Sequence, residues 1–203
     1  MQGMSDEPAP QAGDEPDLPP YDGITIADIR MVNTPEQAAE ALAALLVMDV
    51  IGFDTESKPT FLKGEVSTGP HLVQLATDKV AYLFQIGPSS PLDVLKPVLE
   101  SPAILKVGFG LQDDVKRLRA KLGIDTANVL DLSTALRKKG ERNTLGAKTA
   151  VARFFGQKMQ KSKKITTTNW ALPRLTEKQI LYAADDAHVA LKIYRHWRSI
   201  TPA

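Results

Sequence analysis

No cysteine occurs in the chain, which excludes disulfide frameworks, thiolate zinc sites and cysteine nucleophiles together and leaves oxygen or imidazole for any metal. Imidazole itself is scarce: His71 and His196 show no ligand spacing, and His188 reads as a packing residue. Long apolar runs are missing too. The longest, residues 41–48, falls well short of the roughly 18 residues that a membrane span needs, and the first residues carry acids rather than a basic leader. A soluble, cytoplasmic protein is expected. What is present is 203 residues, 43% of them apolar, enough to bury one sizeable core in one domain.

A net charge of +1 conceals a strong asymmetry. Residues 1–23 hold six acids (Asp6, Glu7, Asp14, Glu15, Asp17, Asp22), five of the fourteen prolines and no Lys or Arg. That composition predicts a disordered tail ahead of a single domain over 24–203, because it offers almost no apolar burial to offset the entropy of ordering. Residues 137–164 carry ten basic side chains against the single acid Glu141. A polyanionic partner met by one region of the surface is one reading of this, and a solvated helix face is the other.

From Ile24 the pattern turns globular. Thr34-Pro35 opens a helix that runs to about Met48, and residues 50–53 read as a buried strand. Residues 71–77 and 80–86 form a hairpin about Asp78-Lys79. Then come a helix at 92–100, a strand at 104–108, a helix at 111–122, a short strand at 129–132, and mostly helix to the end. The last helix starts with a capping box, Thr176 with Gln179. The alternation predicts an α/β fold, a mixed central sheet flanked by helices.

Three places carry chemistry. Asp54 and Glu56 end the strand 50–53 and point the same way, because side chains alternate along a strand; a hard divalent cation between them would relieve their repulsion. In the helix after Gly108 and Gly110, the apolar stripe of Leu111, Val115, Leu118 and Leu122 places Asp114 beside the core. Asp113 instead has the spacing of an exposed ion pair with Lys116 or Arg117. Tyr182 and Asp186 stand one turn apart on the last helix, where a phenol beside a carboxylate can place a water. Each alone is compatible with ordinary packing and surface acids. Four acids from three separate elements at the inner side of one sheet are not.

These residues resemble the DEDD exonuclease superfamily in its Tyr-containing branch (DEDDy), the group of ribonuclease D and the Werner syndrome exonuclease domain, over about residues 23–197. The first motif matches Asp54-Thr55-Glu56, the second Asp114 within 107–118, and the third Tyr182-x-x-x-Asp186. Further matches are Val73-Gln74-Leu75 with Ala81-Tyr82-Leu83-Phe84, and Thr168-Asn169-Trp170 through Gln179. The glycine-flanked second motif is similar to the Werner type, whereas Pro173 stands one position earlier than the family's pattern has it.

The resemblance implies a ribonuclease H-like (DnaQ-like) fold and a 3′-5′ exonuclease that removes nucleoside 5′-monophosphates from DNA, with RNA activity also expected. Two divalent cations, Mg²⁺ or Mn²⁺, are implied: Asp54, Glu56 and Asp186 hold the first, Asp54 and Asp114 the second, and Tyr182 orients the attacking water. Lys58, Phe61 and Lys63 after the first motif, and Lys161, Lys163 and Lys164 before Trp170, are the expected nucleic-acid contacts, with Trp170 a base platform or a loop anchor. The chain ends at Ala203, without the helical domains that follow the nuclease in ribonuclease D, so affinity is expected from the domain itself, a homo-oligomer or a protein partner. The alternatives are a ribonuclease D-like enzyme of RNA 3′ ends and a binding module without turnover. A phosphatase with an aspartyl nucleophile would want Asp where Glu56 stands.

Overall fold

The computed structural model describes residues 17–88, 90–160 and 162–201. The first element, after a short 3-10 turn, is β1 (Ile29–Met31). Thr34 then starts α1 (Pro35–Leu46) as expected: its hydroxyl accepts from Gln37 N–H at 3.3 Å, the Gln37 amide oxygen accepts from Thr34 N–H at 3.1 Å, and Pro35 fills the first turn. There follow β2 (Val50–Glu56), β3 (Leu72–Ala76), β4 (Ala81–Gln85), α2 (Leu92–Leu99), β5 (Leu105–Gly108), α3 (Gln112–Leu122) and β6 (Val129–Asp131). Two short helices, α4 (Leu132–Ala135) and α6 (Lys163–Thr166), flank α5 (Ala147–Phe155), and α7 (Glu177–Ile200) closes the order.

The strands form one mixed sheet in the order β1-β4-β3-β2-β5-β6. The expected hairpin pairs β3 antiparallel to β4, and β3 is also antiparallel to β2; the β1–β4, β2–β5 and β5–β6 pairs are parallel. On one face Ile51, Phe53, Val73, Leu75 and Phe84 pack against α1, α2 and α3. On the other, Val50, Leu72, Ala76, Leu83 and Val107 pack under α7, with α5 beside it. Small residues bring α7 close to the sheet: Ala183, Ala184 and Ala187 are fully buried, and Gly52 lies directly beneath Ala187. Lys106 is buried in β5, where its ammonium donates to the carbonyls of Ser101 and Ile104 at 2.7 and 2.9 Å, and burial pushes its pKa down to about 8.

One expectation needs correction. Residues 1–16 of the expected tail lie outside the described residues, but 17–23 do not behave as tail. Lys158 N–H donates to Pro19 O at 2.8 Å, Tyr21 N–H donates to Lys158 O at 3.0 Å, and the buried Tyr21 ring stacks on Phe155. This strap ends where Ile24 N–H donates to Asp185 on α7 at 3.2 Å. Unread in the sequence is β1, three residues paired to β4 that no periodicity announces. Among the described residues no helix is long and apolar enough to cross a membrane.

Candidate active site

Strand alternation sends Asp54 and Glu56 to the α7 face of β2, the face that also carries Gly52. From above, α7 brings Asp186, only 7% exposed, and one carboxylate oxygen from each of the three residues lies within 4.8 Å of the others. Asp54 is oriented by its own strand, because Thr55 N–H donates to its Oδ1 at 2.9 Å. Three carboxylates this close favour a cation among them, and a donor set made only of carboxylate oxygen fits a hard divalent ion better than zinc.

Asp114 stands at the other side of the strand. It is 8% exposed at the start of α3 and accepts a hydrogen bond from the Thr55 hydroxyl, which points to the face opposite Asp54 and Glu56. Burial pushes the Asp114 carboxyl above the usual carboxylate range, and the bond from Thr55 works against that. The turn ahead of α3 has Gly110 at φ 71°, in the left-handed region, and it is pinned by Asp131. The Asp131 carboxylate accepts from the N–H groups of Gly110, Leu111 and Ser133 at 2.9, 3.0 and 2.9 Å. Asp113 faces outward and pairs with Lys116 at 3.7 Å, as its spacing predicts.

Tyr182 lies one turn before Asp186 and shares a hydrogen bond with Thr166 of α6 at 2.9 Å. Its ring rests against Trp170, with centroids 6.0 Å apart. Trp170 is only 1% exposed and donates to Thr166 O at 3.4 Å, so it anchors this loop; the base platform is corrected to a packing role. Lys161 and the side chain of Lys163 lie outside the described residues, while Lys164 is exposed. On the far side of Glu56, Lys58, Phe61 and Lys63 are exposed on the 57–70 loop. That loop is shaped by His71, whose Nδ1 accepts from Lys58 N–H at 3.0 Å, and by Glu65, which accepts from the N–H groups of Phe61 and Leu62. His188 packs as expected, its Nε2 3.3 Å from Asp78 O.

Thr55, Asp131 and Thr166 were not singled out by sequence reasoning. A usable signal exists for Asp131 alone, an acid at a strand end in the N-cap position of α4. Gln74, which pairs with Asp54 in register, is fully buried, and its amide has no hydrogen-bond partner among the described residues.

The comparisons with known proteins agree with this geometry. The family described as 3′-5′ exonuclease matches residues 29–201. The mouse bifunctional 3′-5′ exonuclease/ATP-dependent helicase WRN is 32% identical over 149 residues, 72% of this chain and 11% of its own length. An Arabidopsis thaliana 3′-5′ exonuclease is 28% identical over 159 residues, 75% of this chain and 54% of its own. The chain thus spans from about a tenth to about half the length of these two relatives. Among solved structures, the Aedes aegypti Nibbler EXO domain superposes with a TM-score of 0.73 at 26% identity, covering 87% of this chain and 89% of that one. Trypanosoma brucei RNase D in complex with RNA U12 gives 0.73 at 23% identity, covering 83% and 61%, which speaks to the fold. The sheet and its helices are those of the ribonuclease H-like fold, and with the family pattern running from β1 past the end of α7 this chain belongs to the 3′-5′ exonuclease domain family.

Proposed function

We propose that this chain hydrolyses nucleic acid from the 3′ end, releasing nucleoside 5′-monophosphates one at a time in a reaction that depends on Mg²⁺ or Mn²⁺. The observation that carries the reading is the convergence of Asp54, Glu56 and Asp186 from β2 and α7. In this reading those three hold one cation, and Asp54 with Asp114 holds a second. Cations bound there would lower the pKa of the attacking water and offset charge on the attacking and leaving oxygens. The protein's own part is to place the groups. Tyr182, steadied by Thr166 and Trp170, orients the water with its hydroxyl. Oxygen from water joins the terminal phosphorus, the bond to the bridging 3′ oxygen breaks, and that oxygen leaves as the new 3′ hydroxyl after taking a proton.

The Werner-type motif favours DNA as substrate, and RNA is the second arm of the test. Purified protein with 5′-labelled DNA and RNA oligonucleotides and Mn²⁺ is expected to give a ladder shortened from the 3′ end. Binding without shortening would overturn the reading. Lys161, Lys163 and Lys164 are proposed to contact the phosphate backbone, because Lys163 and Lys164 open α6, Lys161 precedes it in sequence, and α6 touches Tyr182 through Thr166. Replacing all three by Ala is expected to weaken binding and to lower the slope of log affinity against log salt by about 2, at roughly 0.7 per phosphate contact on a single strand. An unchanged slope, read by fluorescence anisotropy, would remove these lysines from the interface.

A further inference from the structure

We propose that Thr55 is a positioning residue whose hydroxyl orients the Asp114 carboxylate, the acid that the exonuclease reading assigns to the second cation. The inference rests on the exonuclease reading and deepens it. Asp54 and Glu56 occupy one face of β2, and Thr55, between them, occupies the other. Through that residue the strand reaches an acid on α3: Thr55 is 7% exposed, Asp114 is 8% exposed, and the Thr55 hydroxyl donates to Asp114 Oδ1. A hydroxyl has one proton to give. Given to Oδ1, it restrains how the carboxylate can turn. The β-branched side chain is stiff about its first torsion, so the donor is held rather than searching. Its base is stiff as well, since β2 is paired with β3 from Gly52 to Glu56. One hydrogen bond therefore links the strand that carries Asp54 to the helix that carries Asp114, 59 residues away. Asp131 pins the turn ahead of α3 independently, so removing the Thr55 hydroxyl disturbs the carboxylate's orientation and leaves the helix in place.

The test is a Mn²⁺ titration of the purified chain, followed by the electron paramagnetic resonance signal of the free ion. The native chain is expected to bind two ions. Thr55→Val, which replaces the donor by a methyl of similar size, and Thr55→Ala, which removes both γ substituents, are expected to keep the tighter ion and to bind the weaker one at least about tenfold less well, the effect of losing a partner that orients a ligand. Thr55→Ser keeps the hydroxyl and should stay within about threefold of native. In an Asp114→Asn background, Thr55→Val should change Mn²⁺ binding no further, because the cycle isolates the pair. Two ions bound with native affinity by Thr55→Val or Thr55→Ala, or losses that simply add in the double variant, overturn the inference while the exonuclease reading stands. A native chain that binds no Mn²⁺ overturns both.

Discussion

Asp54→Ala and Asp186→Ala each reduce 3′-end shortening by about three orders of magnitude or more, because both side chains belong to the three-carboxylate cluster on which the proposed chemistry depends. The expected stability change has the opposite sense. In the metal-free protein either substitution removes one of three like charges held within 4.8 Å, so the unfolding temperature stays level or rises. Added Mn²⁺ separates native from variant a second way. A ligand at one hundred times its dissociation constant stabilises the folded state by about 2.7 kcal/mol, so the native chain melts higher with the ion, and the variants lose most of that shift. Thermal unfolding with and without Mn²⁺, beside a labelled-oligonucleotide assay, reads both effects. A variant that unfolds normally yet shortens oligonucleotides at the native rate would place the chemistry elsewhere.

Much of the architecture is legible in local patterns. Thr34 with Gln37 and Thr176 with Gln179 mark two helix starts by chemistry that acts within four residues, and both capping boxes form. The period of two along β2 puts Asp54 and Glu56 on one face, and the helical stripe of α3 separates buried Asp114 from exposed Asp113. What local pattern does not hold is set by distant partners. Residues 17–23 look unable to order themselves, and it is the 157–160 segment and Phe155 that give Tyr21 its burial. In β1 three residues carry too little pattern to register, and its pairing is decided by β4, some fifty positions on. Trp170 could stack on a base or fill a loop until its exposure is known. Thr55 and Asp131 act across 59 and about 20 residues, distances at which a hydroxyl and an acid look like any others.

Gly52→Ala is expected to damage fold and site together, by a route that does not touch a carboxylate. A Cβ at this position would overlap the carbonyl oxygen of Ala187 and lie 2.8 Å from its carbonyl carbon, with the Ala76 methyl 3.3 Å away on the other side. The obstacle is backbone, so no rotamer change relieves it, and α7 must lift from β2. Overpacking of this kind destabilises by about 3 kcal/mol. The larger consequence falls on geometry, since Ala187 immediately follows Asp186 and Tyr182 lies on the same helix, whereas Asp54 and Glu56 stay with the strand. A displacement of about 1 Å between reacting groups can lower a rate about a hundredfold. Gly52→Ala should therefore reduce both the unfolding midpoint and the turnover number, and weaken Mn²⁺ binding, although every carboxylate remains. Gly87→Ala, where a Cβ meets nothing within 4 Å, serves as the comparison and should leave all three measurements near native. If Gly52→Ala lowered stability but left Mn²⁺ affinity and turnover intact, the close seat of α7 on β2 would serve packing alone, and the cluster would have to tolerate a shift that its 4.8 Å spread argues against.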